Sequence, residues 1–102
     1  LNFTGGATAE PVLRAVLTEK VTGRRLSLYT DQPSVQLYSA NFTKNPDFPF
    51  KNGCPQRTQM ALCLETQKMP DSVNHKNFTS VVLAPGEVYT HSLIWAFSTV
   101  ED

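Results

Sequence analysis

Leu13-Arg14-Ala15-Val16-Leu17-Thr18-Glu19, then Lys20-Val21-Thr22-Gly23-Arg24, then Leu26-Ser27-Leu28-Tyr29 read together as strand, turn and strand. In the first run Leu13, Ala15 and Leu17 alternate with Arg14, Val16 and Thr18, the period of two that a pleated strand imposes. Gly23 suits the connection to a hairpin or bulged turn. Downstream, Asp31-Gln32-Pro33-Ser34 is turn chemistry, and Val35-Gln36-Leu37-Tyr38 follows as a third strand. Met60 to Glu65 reads as a fourth strand and Ser80-Val81-Val82-Leu83 as a fifth, ended by Ala84-Pro85-Gly86-Glu87, whose Pro-Gly pair fits a type II turn. The last and longest run, Val88 to Ser98, sets Tyr89, His91, Leu93, Trp95 and Phe97 against Val88, Thr90, Ser92, Ile94 and Ala96. No stretch has the 3.6-residue period of an amphipathic helix, so the chain reads as all-β, an antiparallel sandwich or part of one. Two irregular stretches, about 40–59 and 66–79, interrupt the pattern. Loops of that length in a compact domain bind something or hide a misassigned element.

Composition narrows the function classes. The 102 residues suffice for one domain near the small end of what buries a robust core. Nine Lys and Arg balance nine Asp and Glu, and basic runs interleaved with aromatics are absent, which argues against nucleic acid and anionic membrane as partners. No apolar stretch has the length of a bilayer span. The opening Leu1-Asn2-Phe3-Thr4-Gly5-Gly6, without initiator Met or signal pattern, reads as a processed product or a piece of something longer. Cys54 and Cys63 are close enough in sequence for a small disulfide loop, and equally compatible with two unpaired thiols. Asn2-Phe3-Thr4, Asn41-Phe42-Thr43 and Asn77-Phe78-Thr79 are N-glycosylation acceptor triplets. Three of them favour an extracellular or secretory location over a cytoplasmic one.

Leu62-Cys63-Leu64-Glu65-Thr66-Gln67 ends an apolar run on one carboxylate, just before the polar segment Pro70-Asp71-Ser72-Val73-Asn74-His75. A carboxylate held by a strand at the edge of a loop suits a general base, whose proton transfer requires a fixed group within hydrogen-bond reach. Glu65 shares its strand face with Cys63 and Ala61, small neighbours that leave room for a ligand; Gln36 and Tyr38 share a face of the third strand. The same parity also fits two polar residues that merely face solvent. Other chemistries are poorly supported. Cys54, Cys63, His75 and His91 lack the paired spacing of a zinc site, so no metal is expected. There is no Gly-x-Ser-x-Gly elbow and no glycine-rich phosphate loop. Asp71 reads as a turn initiator, His75 as a loop-packing residue and His91 as a satisfied strand histidine.

The run from Leu62 to Gln67, with Pro70-Asp71-Ser72-Val73-Asn74-His75 and Asn77-Phe78, resembles the signature near the C-terminus of the aldose 1-epimerase (galactose mutarotase) family. Gln32-Pro33-Ser34-Val35-Gln36-Leu37-Tyr38 with Asn41-Phe42 resembles the family's Gln-Pro-Gly-Val-Gln-Phe-Tyr segment. Gly23-Arg24-Arg25-Leu26 and Leu83-Ala84-Pro85-Gly86-Glu87-Val88-Tyr89 match flanking elements, so the likeness runs in order through nearly the whole chain. It implies the C-terminal part of a large β-sandwich, the supersandwich of galactose mutarotase type, with residues 1–102 forming one portion of a single domain whose N-terminal portion is absent. It implies a cofactor-free isomerase that interconverts the α and β anomers of free hexoses of glucose or galactose type. In that reaction a glutamate takes the proton of the C1 hydroxyl while a histidine protonates the ring oxygen; the ring opens, the C1–C2 bond rotates and the ring closes on the other face. By motif position Glu65 is the base and Gln36 a contact to sugar hydroxyls. A glutamate in water is ionised at neutral pH and able to accept that proton.

The sequence also departs from the family. Neither His75 nor His91 matches the acid histidine, which belongs to the longer N-terminal portion, so the isolated chain is expected to be inactive. Association with that portion, in cis or as a second chain, would cover strand edges and half a core. Ser34 and Ala61 stand where Gly is usual, Ala40 replaces another small turn residue, and Phe78-Thr79-Ser80 replaces Phe-Pro-Ser. The alternative reading is a sugar-binding sandwich that keeps the scaffold without turnover.

Overall fold

The computed structural model describes residues 1–100, and these are antiparallel strands joined by loops, the all-β architecture expected. β1 (Val12–Thr18), β2 (Arg24–Thr30) and β5 (Leu93–Thr99) form one sheet in the order β1-β2-β5; β3 (Ser34–Tyr38) and β4 (Cys63–Gln67) form a second. Among the described residues, helix is confined to the short 3-10 turns Lys51–Gly53 and Ser72–Asn74.

The first hairpin forms as its sequence predicts, with one correction of parity. Leu13 pairs with Tyr29 but Ala15 pairs with Leu28, so Arg14 is a bulge and Leu13 lies on the opposite face from Ala15 and Leu17. The extra residue frees the Arg14 side chain to reach the N-terminal arm, where it donates to the carbonyls of Thr4 (3.3 Å) and Gly6 (2.6 Å) and lies 5.0 Å from the centre of the Phe3 ring. The turn after β1 is organised by Glu19, whose carboxylate accepts from the Thr22 hydroxyl and from the amides of Val21 (2.6 Å) and Thr22 (2.8 Å). These donors, the Thr22 hydroxyl foremost, hold its carboxyl below the ordinary 4.5.

Gly23 completes the turn at φ 71°, and its carbonyl accepts the Val100 amide at 2.8 Å. A Cβ at this position would lie 2.3 Å from the Val100 carbonyl oxygen. Gly23→Ala therefore combines a left-handed backbone penalty with a backbone clash, and is expected to destabilise the full-length protein by about 2 kcal/mol, read as a lowered midpoint in urea with an unchanged slope. An unchanged midpoint would show that the close approach to Val100 is not made.

β5 is shorter than its hydrophobic pattern suggested. Its seven residues pair one-to-one with β2, from Arg24 with Thr99 to Thr30 with Leu93. Beyond Thr30 the partner strand leaves the sheet, so Val88 to Ser92 has no ladder to join. Ser80–Leu83 likewise forms no strand; it runs exposed, with the Ser80 carbonyl accepting from the Lys68 ammonium at 2.6 Å. The turn after it does form: Gly86 has φ 87° and the Glu87 amide donates to the Ala84 carbonyl at 3.1 Å, as a type II turn requires. β4 starts at Cys63 rather than Met60 and continues through Thr66 and Gln67, because β3 offers partners only from Tyr38 back to Ser34.

The buried centre is the corner where the chain passes from one sheet to the other. Leu28, Thr30, Asp31, Gln32, Ser34 and Val35 are all buried there. The outer strands are far less covered: on the face shared by Leu17, Leu26, Trp95 and Phe97, Trp95 is 42% and Phe97 77% exposed. Large apolar side chains left open in a row mark a surface that something else covers.

Candidate active site

The register of the second sheet brings the two sequence-predicted site residues together. Gln36 pairs directly with Glu65, flanked by Ser34 with Gln67 and Tyr38 with Cys63. Residues directly opposite in an antiparallel ladder project to the same face with Cβ atoms about 5 Å apart. One amide donor and one carboxylate thus stand side by side on paired strands, both exposed. A carboxylate can accept a proton, and an adjacent amide can orient a hydroxyl without competing for it. The parity read from the sequence holds within the strands, with Gln36 beside Tyr38 and Glu65 beside Cys63; Ala61 lies outside β4. Cys54 and Cys63 are free thiols, the first exposed and the second half-buried.

The register is fixed by ties at both ends of β3. The buried Ser34 hydroxyl donates to the Gln67 carbonyl at 2.7 Å. On the other edge Leu1 and Val35 exchange backbone hydrogen bonds at 3.0 Å, and the Phe3 amide donates to the Pro33 carbonyl at 2.9 Å. A slip of one residue would send Gln36 and Glu65 to opposite faces, so these ties protect the pair. At the far end of β3 the Tyr38 hydroxyl accepts the Phe42 amide at 2.9 Å, and the Ala40 carbonyl accepts the amides of Thr43 and Gln59, closing the base of the long loop. Ala40 has φ 55°, which explains why a glycine would sit easily there.

The loop after β4 behaves as its residues suggest. Asp71 adopts φ 61° and its carbonyl accepts the Asn74 amide, while its carboxylate pairs with His75 Nε2 at 3.1 Å. His75 also stacks on Phe78 at 4.7 Å between ring centres. It therefore packs the loop. Among the described residues no group of three or more His, Cys, Asp or Glu is arranged to hold a metal ion.

A model of the family described as Aldose 1-epimerase matches residues 2–95. The chain belongs to the aldose 1-epimerase family. It is 40% identical over 97 residues to the galactose mutarotase of Mus musculus and 39% identical over 97 residues to that of Homo sapiens, in each case 95% of this chain. It is 35% identical over 68 residues, 65% of the chain, to the aldose 1-epimerase of Escherichia coli (strain K12). The chain spans only 28% of the length of the mouse and human relatives and 19% of the bacterial one.

Two features of this aldose 1-epimerase family member escaped the sequence reading. The Asp31 carboxylate, buried at the corner, accepts from Gln32 Nε2 (2.8 Å) and from the Ser92 amide (2.8 Å), while the Asp31 amide donates to the Ser92 carbonyl (3.3 Å). The Tyr89 hydroxyl adds a longer contact to Gln32 Oε1 at 3.4 Å. His91, expected as a satisfied strand histidine, is exposed and precedes β5 because no partner strand reaches it. It is nonetheless hydrogen-bonded, at 2.9 Å, to Thr66 Oγ1 on the reverse face of β4, a partner that the sequence did not indicate. Residues this far apart in the chain leave no trace in local periodicity. The Asp-Gln-Pro-Ser run signalled only a turn.

Proposed function

We propose that this chain supplies the general base and one substrate contact of a mutarotase acting on free hexoses of glucose or galactose type. The observation that carries the reading is the direct opposition of Gln36 and Glu65 on one exposed strand face. Glu65 takes the proton of the C1 hydroxyl, and the Gln36 amide holds a neighbouring sugar hydroxyl. Deprotonation at O1 and protonation of the ring oxygen together break the C1–O5 bond; the open aldehyde rotates and closes as the other anomer, returning both protons. The acid that protonates the ring oxygen comes from a further portion of the sandwich, N-terminal to this one in cis or on a second chain. That portion also covers the apolar face around Trp95 and Phe97 and gives the open site its remaining walls. The names of the mouse and human relatives support the sugar class.

Polarimetry on freshly dissolved α-glucose and α-galactose tests this with the full-length protein, and the isolated chain should give only the spontaneous rate. A full-length protein that binds sugar yet leaves mutarotation at that rate would make this a carbohydrate-binding sandwich instead. Gln36→Ala is expected to raise KM about tenfold, the worth of one lost hydrogen bond, with a smaller change in kcat. A KM within twofold of the wild type would remove Gln36 from the site.

Asn2, Asn41 and Asn77 all lie exposed, which supports their use as N-glycan acceptors in a secreted protein. A mass decrease on treatment with peptide N-glycosidase, for protein purified from its native source, checks that use.

A further inference from the structure

Among the described residues no side chain holds the Glu65 carboxylate by a hydrogen bond, so its placement rests on the backbone of β4. That strand has a single ladder partner, β3, and two-stranded sheets are marginal by themselves. Thr66, the next residue after the base, points to the reverse face, is buried there, and meets His91 Nε2 at 2.9 Å. The other end of this contact is itself anchored. Ser92, adjacent to His91, is gripped by the buried Asp31 through its amide and its carbonyl. A continuous line of bonded groups therefore runs from the corner between the sheets, through Ser92 and His91, to the back of the strand that carries the base.

We infer that the Thr66–His91 hydrogen bond is a strut that fixes β4 behind Glu65, making His91 a positioning residue for the base; this rests on the role of Glu65 proposed above. The strut acts one residue from the base and on the opposite face, so it does not touch the sugar. Its loss lets the strand shift without removing any substrate contact, and a displacement of about 1 Å at a catalytic group costs up to about 100-fold in rate.

The test uses the full-length protein. His91→Leu and Thr66→Val should each lower kcat for mutarotation by about 10- to 100-fold with KM within twofold, because binding contacts are kept while base geometry is lost. The double variant should lose no more than either single one, as expected for two ends of one bond. His91→Gln, whose terminal amide can reach Thr66 Oγ1, should recover most of the rate. Circular dichroism and thermal unfolding accompany each measurement; should His91→Leu fail to fold, Thr66→Val, which exchanges a hydroxyl for a methyl, carries the same comparison. Losses that multiply in the double variant, or kcat within twofold of wild type in folded single variants, would overturn the strut. A wild-type protein without turnover would instead overturn the base reading on which it rests, so the two failures are distinguishable.

Discussion

Glu65→Gln in the full-length protein is expected to lower kcat for mutarotation by about 10²- to 10⁴-fold, the range that a positioned general base contributes. The substitution keeps the length and shape of the side chain and leaves the β3–β4 pairing intact, since Glu65 contributes to that ladder only through its backbone. What it removes is the ability to take a proton from the C1 hydroxyl. Sugar binding should persist, because a neutral amide can still donate to or accept from a hydroxyl. The unfolding midpoint should barely move: the carboxylate is exposed and, among the described residues, holds no side-chain hydrogen bond whose loss would be felt. Polarimetry and thermal unfolding on the same preparation separate the two effects. A variant with wild-type kcat would dismiss Glu65 as the base, and one that loses activity only because it unfolds would leave its strand, rather than its carboxylate, as the important feature.

Asp31→Ala is expected to destabilise the same protein by about 3–4 kcal/mol. Asp31 is only 8% exposed, and its carboxylate accepts two hydrogen bonds of 2.8 Å, from Gln32 Nε2 and from the Ser92 amide. Hydrogen bonds to a charged group are worth about 1.5–3 kcal/mol each, and their removal here leaves the buried Gln32 amide and the backbone amide of Ser92 without their acceptor. Asp31→Asn should cost about half as much, since one acceptor oxygen remains while the new amide faces a donor. Chemical denaturation gives both values; a loss below about 1 kcal/mol for Asp31→Ala would mean that water or a neighbouring group takes over these donors. Because Ser92 adjoins His91, the same substitution should also loosen the segment that meets Thr66. The activity of Asp31→Ala, measured well below its unfolding midpoint, is therefore expected to fall as well.

The parts of this fold that were legible in the sequence are those written in local chemistry. Alternation marked β1 and the strand at Val35–Tyr38, and the Pro85-Gly86 pair marked its turn, because each depends on the conformational preferences of neighbouring residues. The extent of the last strand was not legible. Val88 to Ser92 is more polar than the continuous apolar run Leu93 to Phe97 yet also carries strand-forming residues, and what ends β5 is its partner, since β2 stops at Thr30. Ser80–Leu83 failed for the same reason, having strand-forming residues and no strand beside them. The bulge at Arg14 was hidden because its cause lies in the N-terminal arm, at the carbonyls of Thr4 and Gly6.

The candidate site divides along the same line. The sequence by itself determined the family, the all-β class, and Glu65 and Gln36 as the candidate site residues, since motif order and residue type are carried by the chain alone. Only the tertiary structure decided that those two residues stand opposite one another, that the Ser34 hydroxyl ties β3 to Gln67, and that Asp31 bonds Ser92 while His91 meets Thr66 on the reverse side of the strand. The physical reason is range. Propensity and turn chemistry act over a few residues, whereas register, strand length and buried polar ties are set by hydrogen bonds between segments far apart in the chain, which no local pattern encodes.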